Sequence, residues 1–148
     1  MNASDFFSPE DKKLIEKAIL EAEHNTSGEI RVHVETSFKG DILDRAASVF
    51  ALLNMHKTKL RNGVLIYLAI RNKQFAVLGD AGINRVVPDN FWNTTKSAME
   101  NHFRNSEFAL GLIAGITLAG EQMKKHFPHQ QNDINELSNE MTFDAHEK

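Results

Sequence analysis

Hydrophobic and polar positions change their period along the chain, and each change marks an element. Residues 64–70 (VLIYLAI) form an unbroken apolar run and residues 75–78 (FAVL) a second; Arg71, Asn72, Lys73 and Gln74 supply a polar turn between them, which predicts a β-hairpin. Strands apolar on both sides must be covered on both faces, so the hairpin belongs to a layered α/β domain. Upstream, residues 29–35 alternate, with Ile30, Val32 and Val34 on one face and Arg31 and His33 on the other. That pattern predicts a half-buried strand with one less-covered face.

Helical spacing fills the rest. Ser8-Pro9-Glu10-Asp11 reads as a helix start with Ser8 as N-cap, and Leu14, Ile15, Ala18, Ile19 and Ala22 carry its apolar stripe to about His24. Gly40-Asp41 opens a second helix whose face is Ile42, Leu43, Ala46, Ala47, Val49, Phe50 and Leu53. Pro88-Asp89-Asn90 launches a third, with Phe91, Trp92, Thr95, Met99 and Phe103, and a fourth runs from Ser106 to about Phe127. Strand, helix and strand in succession make a βαβ unit, so strands 29–35 and 64–70 are expected to be parallel, with strand 75–78 antiparallel to the second. The expected organisation is a lead over residues 1–7, one α/β domain over 8–127, and an acidic, largely disordered tail over 128–148. In that tail only Ile134, Leu137, Met141 and Phe143 offer apolar contacts to a surface groove.

Composition narrows the chemistry. The chain has 148 residues and no cysteine, so it fits one domain without disulfides or thiolate sites. Net charge is −3, of which residues 129–148 contribute −4, leaving the rest near +1. A neutral domain lacks the basic footprint of a phosphate-backbone reader, so nucleic acid is not an expected partner. The longest apolar run, residues 108–119, falls short of the roughly twenty residues a membrane span needs. With no secretory pattern at the amino terminus, a cytoplasmic protein without membrane insertion is expected.

The topology gathers polar residues at one edge. Glu29 begins the first strand, Asn62-Gly63 begins the second, and Gly79-Asp80 ends the third; Asp89 follows one loop later. Carboxylate, amide and backbone oxygens are hard ligands suited to calcium or magnesium. The same residues also read as parts of the fold: Asp80 and Asn84 as turn formers, Asp89 as a helix cap, Glu29 as a solvated strand end. Gly79 and Gly82 fit either account, through positive φ or through close approach of a ligand. GDAG lacks phosphate-loop spacing and no helix is expected directly after it. The seven histidines form no metal signature, and His33 is expected in a surface or capping role.

The succession TSGEIRVHVE, GDILDRAASVF, RNGVLIYLAI, a hairpin into GDAG, VVPDNFW and FRNSEFALGLIAGI resembles the TPM domain family over residues 8–127. The resemblance implies a three-layer α/β/α sandwich with a small mixed, Rossmann-like sheet, divalent cation binding in some members, and acid phosphatase activity for a plant type. By position, Asn62-Gly63 matches the family's NG, Gly79 and Gly82 its paired glycines, Asp89 and Asp44 two of its acids, and Ser106-Glu107-Phe108 its Gly-Asp-Tyr. The chain departs from the family before NG, where Lys57, Lys59 and Arg61 replace an acid-containing, glycine-rich segment; these charges repel cations and attract phosphate.

Two functions follow as expectations. The first is a monomeric calcium- or magnesium-binding domain acting through a protein partner, with Asp80, Asp89 and Glu29 as ligands and Asn62, Gly63, Gly79, Gly82, Asn84 and Asp44 in support. By resemblance that partner is a LemA-like membrane protein. The alternative is a metal-assisted acid phosphatase hydrolysing phosphate monoesters.

Overall fold

The computed structural model describes residues 2–129 and 137–144. A short helix, α1 (Ala3–Phe6), precedes α2 (Pro9–Glu23), where the Ser8 hydroxyl accepts from the Asp11 amide at 3.1 Å and Pro9 occupies the first turn. Strand β1 (Glu29–Glu35) leads through α3 (Ile42–Leu52) to β2 (Gly63–Ala69), and β3 (Gln74–Gly79) completes the hairpin. The chain continues through α4 (Ala81–Asn84), α5 (Asn93–Arg104) and α6 (Phe108–Lys124) to a two-residue strand, β4 (Thr142–Phe143).

The sheet order is β3-β2-β1-β4. β1 and β2 run parallel with Glu29 opposite Gly63, β2 and β3 run antiparallel, and β4 lies parallel to β1. This is the α/β fold with a βαβ unit and an antiparallel hairpin strand that the pattern predicts. Ile30, Val32, Val34, Val64 and Ile66 face a core closed by α1, α2, α5 and α6. Leu65, Tyr67, Ala69 and Ala76 face the opposite layer, closed by Ala46, Val49 and Phe50 of α3. Helices therefore cover both faces. Each fully buried aliphatic in these layers contributes about 1.5–3 kcal/mol relative to exposure.

Two expectations need correction. β1 is buried almost throughout, because the face carrying Arg31, His33 and Glu35 packs toward the α3 layer and its far edge is taken by β4. The lead is not separate from the domain, since Ala3 and Phe7 are buried in the larger core. In the tail, Leu137 and Met141 are buried, one in each layer beside β1. Ile134 lies outside the described residues. Among the described residues no helix is long and apolar enough to cross a membrane.

Candidate functional site

The predicted edge exists, and its parts are joined by main-chain hydrogen bonds. The Glu29 amide donates to the Asn62 carbonyl at 3.2 Å, and the Asp80 amide donates to the Gly63 carbonyl at 2.9 Å. Asn62 is buried and donates its side-chain amide to the Ser27 carbonyl at 3.2 Å. Asp80 is the N-cap of α4, so a helix does follow GDAG directly, contrary to expectation; its carboxylate accepts from the Ala81 amide at 2.7 Å. A four-residue helix escapes periodicity because it is shorter than one apolar repeat.

Neither Gly79 nor Gly82 has positive φ. Gly82 is instead required by the chain's own backbone: a Cβ there would stand 2.1 Å from the Leu60 carbonyl oxygen, and its amide donates to the Arg61 carbonyl at 2.8 Å. The second glycine of the pair thus lets the loop before β2 lie against α4.

That loop delivers Arg61 onto Asp80. Its guanidinium donates from Nε to Oδ2 at 2.7 Å and from Nη2 to Oδ1 at 2.8 Å, a bidentate pair in which the aspartate is buried and the arginine about half exposed (46%). Beside it opens a cleft of about 230 Å³, bordered by Phe50, Leu78, Gly79, Asp80 and Asn84. Asn84 donates to the Gly79 carbonyl at 3.1 Å and its own side-chain oxygen has no partner among the described residues.

The other candidate ligands are not gathered there. Glu29 is buried, and its Oε1 accepts from the Leu137 amide at 2.5 Å. Asp89 is exposed in the turn before α5 and does not cap it; the capping position is Trp92, without a side-chain bond. Asp44 is exposed in the first turn of α3, beyond the opposite end of β1, where Asp41 caps the helix from 2.8 and 3.1 Å. Ser106 and Phe108 border a different, larger and mainly apolar cleft of about 370 Å³ against Leu68, Phe75 and Phe103. Among the described residues no group of three His, Asp or Glu side chains is placed to hold a metal ion. The donors are hard oxygens of the right chemistry, but both Asp80 oxygens are taken. The described residues therefore do not form a preformed cation cage.

A second carboxylate cluster lies toward the other end of β1. Glu35 is buried and accepts from Arg45 Nε at 2.9 Å, Arg45 Nη2 at 2.5 Å, the Tyr67 hydroxyl at 2.5 Å and His33 Nε2 at 3.2 Å. An ionised carboxylate only accepts, so His33 presents an Nε2 proton to Glu35, while Nδ1 lies 2.6 Å from the Thr142 hydroxyl. Burial alone would raise the Glu35 carboxyl, yet the donors from Arg45, His33 and Tyr67 and the Arg45 charge reverse this and hold it well below the usual range. Burial and the neighbouring Glu35 push the Tyr67 hydroxyl up. His33 is therefore an interior group and not a surface or capping one. The signal was present in the sequence: His33 and Glu35 share one face by period two, and Tyr67 is the lone polar handle in an otherwise apolar strand.

A third carboxylate has no cationic partner among the described residues. Glu23, at the end of α2, accepts from the Ile30 amide at 3.1 Å, and burial pushes its carboxyl up to about 7 against that hydrogen bond.

Comparison with known proteins agrees with the fold. The model of the TPM domain family matches residues 1–122. The NMR structure of BA42 protein from the psychrophilic bacterium Bizionia argentinensis is 48% identical, with a TM-score of 0.90 over 94% of this chain and 96% of that one. N-terminal domains from Porphyromonas gingivalis (P. gingivalis; 18% identity, TM-score 0.67, 85% of this chain and 83% of that one) and of the cg2496 protein from Corynebacterium glutamicum (14%, 0.64, 98% and 86%) share the fold. No curated protein matches the chain. The chain belongs to the TPM domain family.

Proposed function

We propose that this TPM domain is a non-catalytic binding module that works through a protein partner and takes calcium or magnesium weakly beside Asp80. The observation that supports it is the Asp80 cleft, where a carboxylate and the unpartnered Asn84 oxygen border open space while an exposed guanidinium covers the carboxylate. A cation takes Asp80 only in place of Arg61, and Lys57 and Lys59 add positive charge to the same loop, so affinity is low. Glu29 and Asp89 act outside direct contact in this reading, through charge alone.

The alternative, a metal-assisted acid phosphatase, needs a carboxylate or hydroxyl poised to attack or to activate water. Asp80 is clamped, and Glu35 and His33 are sealed in the interior. Basic residues 57, 59 and 61 would attract phosphate, which is attraction without a nucleophile.

Titration of ¹⁵N-labelled protein with calcium and magnesium, alongside a phosphate-monoester assay, separates the readings. Saturable shifts centred on residues 79–84 without hydrolysis support the binding module. Hydrolysis abolished by Asp80→Asn would establish the phosphatase instead, and shifts centred elsewhere would remove the site.

A further inference from the structure

Residues 137–144 lie along the outer side of β1 and are held as domains hold peptides. Backbone amides of the segment donate to side-chain carboxylates of the domain: Leu137 to Glu29 at 2.5 Å and Met141 to Glu16 at 3.1 Å. The Asp144 amide donates to the Val34 carbonyl at 3.2 Å, extending a β ladder only two residues long. Side chains supply the rest. Leu137 and Met141 are buried, the Thr142 hydroxyl meets His33, and the buried Asp144 carboxylate accepts from the Thr36 amide at 2.6 Å, its hydroxyl at 2.7 Å and the Ala3 amide at 3.4 Å. This combination of strand addition with alternating side-chain sites is a recurring mode of peptide recognition.

The segment is an imperfect occupant. Arg31 lies on the same face of β1 as His33, and its Nε is buried without a hydrogen-bond partner among the described residues, while the charge of Glu140 acts on the guanidinium. A buried donor left unpaired is costly, and an acceptor placed against it would bind better.

We propose that this groove is a peptide-recognition site, filled in cis by residues 137–144 and open in trans to an extended segment of a partner protein. The chemistry the groove reads is an aliphatic side chain, a second apolar one four residues on, then hydroxyl, aromatic and acidic residues in succession. An acceptor opposite Arg31 improves the fit. The inference rests on the partner reading above and gives that partner its chemistry. Because a tethered segment competes at roughly millimolar effective concentration, the domain stays closed to weak peptides and opens to a better match.

Two measurements on the full chain in EDTA test it, so that the Asp80 cation site plays no part. By hydrogen exchange, the amides of Leu137, Met141 and Asp144 should exchange at least about a hundredfold faster than those of residues 65–68, as a displaceable segment requires. Equal protection of the two sets would overturn the proposal. Next, the full chain carrying Thr142→Val and Asp144→Asn is titrated with the synthetic peptide LSNEMTFD. Saturable shifts in residues 31–36, at least about tenfold tighter than for the unaltered chain, are expected, with the Asp144→Asn peptide at least tenfold weaker. A folded variant without such shifts would overturn the groove while leaving the cation reading to its own titration. Should the variant fail to fold, the exchange result on the unaltered chain decides.

Discussion

Arg45 and Arg61 make the same contact in two places, and the two places differ in what surrounds the carboxylate. Each guanidinium grips an acid through Nε and Nη2. At Glu35 the pair is capped by Tyr67 and His33 under α3, and nothing can approach the oxygens. At Asp80 the arginine is itself the lid, half exposed over an open cleft. The same bidentate geometry therefore belongs to the fold in one case and guards a surface in the other. What separates them is access from solvent, which neither the residue types nor their spacing report.

The sharpest way to break the comparison is to remove each acid. Glu35→Ala leaves Arg45, Tyr67 and His33 with unmet donors in the interior and should cost about 3 kcal/mol in urea unfolding, toward the low end for a buried pair because Arg45 keeps some solvent contact. It should also flatten the acid limb of the stability profile. A carboxyl held below its unfolded value contributes stability that is present above about pH 4.3 and lost as pH falls toward the folded value. A loss below 1 kcal/mol would mean that the cluster contributes little beyond packing.

This contrast also marks what was legible in the sequence. The βαβ unit, the hairpin and the edge that joins Glu29, Asn62 and Asp80 follow from period-two and period-three-to-four patterns, and all are present. The ligand set was not legible, because Arg61 is three-dimensionally adjacent to Asp80 only through the close approach that Gly82 allows. The Glu35 cluster went unread because alternation marks the face of a strand and not its cover. Here the second cover is α3 together with a tail segment whose composition alone suggested disorder.

Glu23 sharpens the comparison as a part-buried carboxylate with no arginine partner among the described residues. Its carboxyl is raised to about 7, so the stability it contributes is present below the unfolded value near 4.3 and is lost as pH rises through 7. Between pH 5 and 8 the protein should lose on the order of 1–2 kcal/mol that Glu23→Gln retains, read from urea midpoints at each pH. With Glu35 acting in the opposite direction, these two groups together place the stability maximum near about pH 4–5. A Glu23→Gln profile parallel to that of the unaltered protein would contradict the assignment.

The smallest stability effect belongs to Arg61→Gln, because the guanidinium it removes is solvated. That variant gives the most direct measurement of the central claim. Calcium titrations of the unaltered protein and of Arg61→Gln, followed by NMR, should both give saturable shifts over residues 79–84, with the dissociation constant lowered by roughly tenfold once the competing charge is gone. Unchanged affinity, or shifts that move away from Asp80, would contradict the view that Arg61 covers the site.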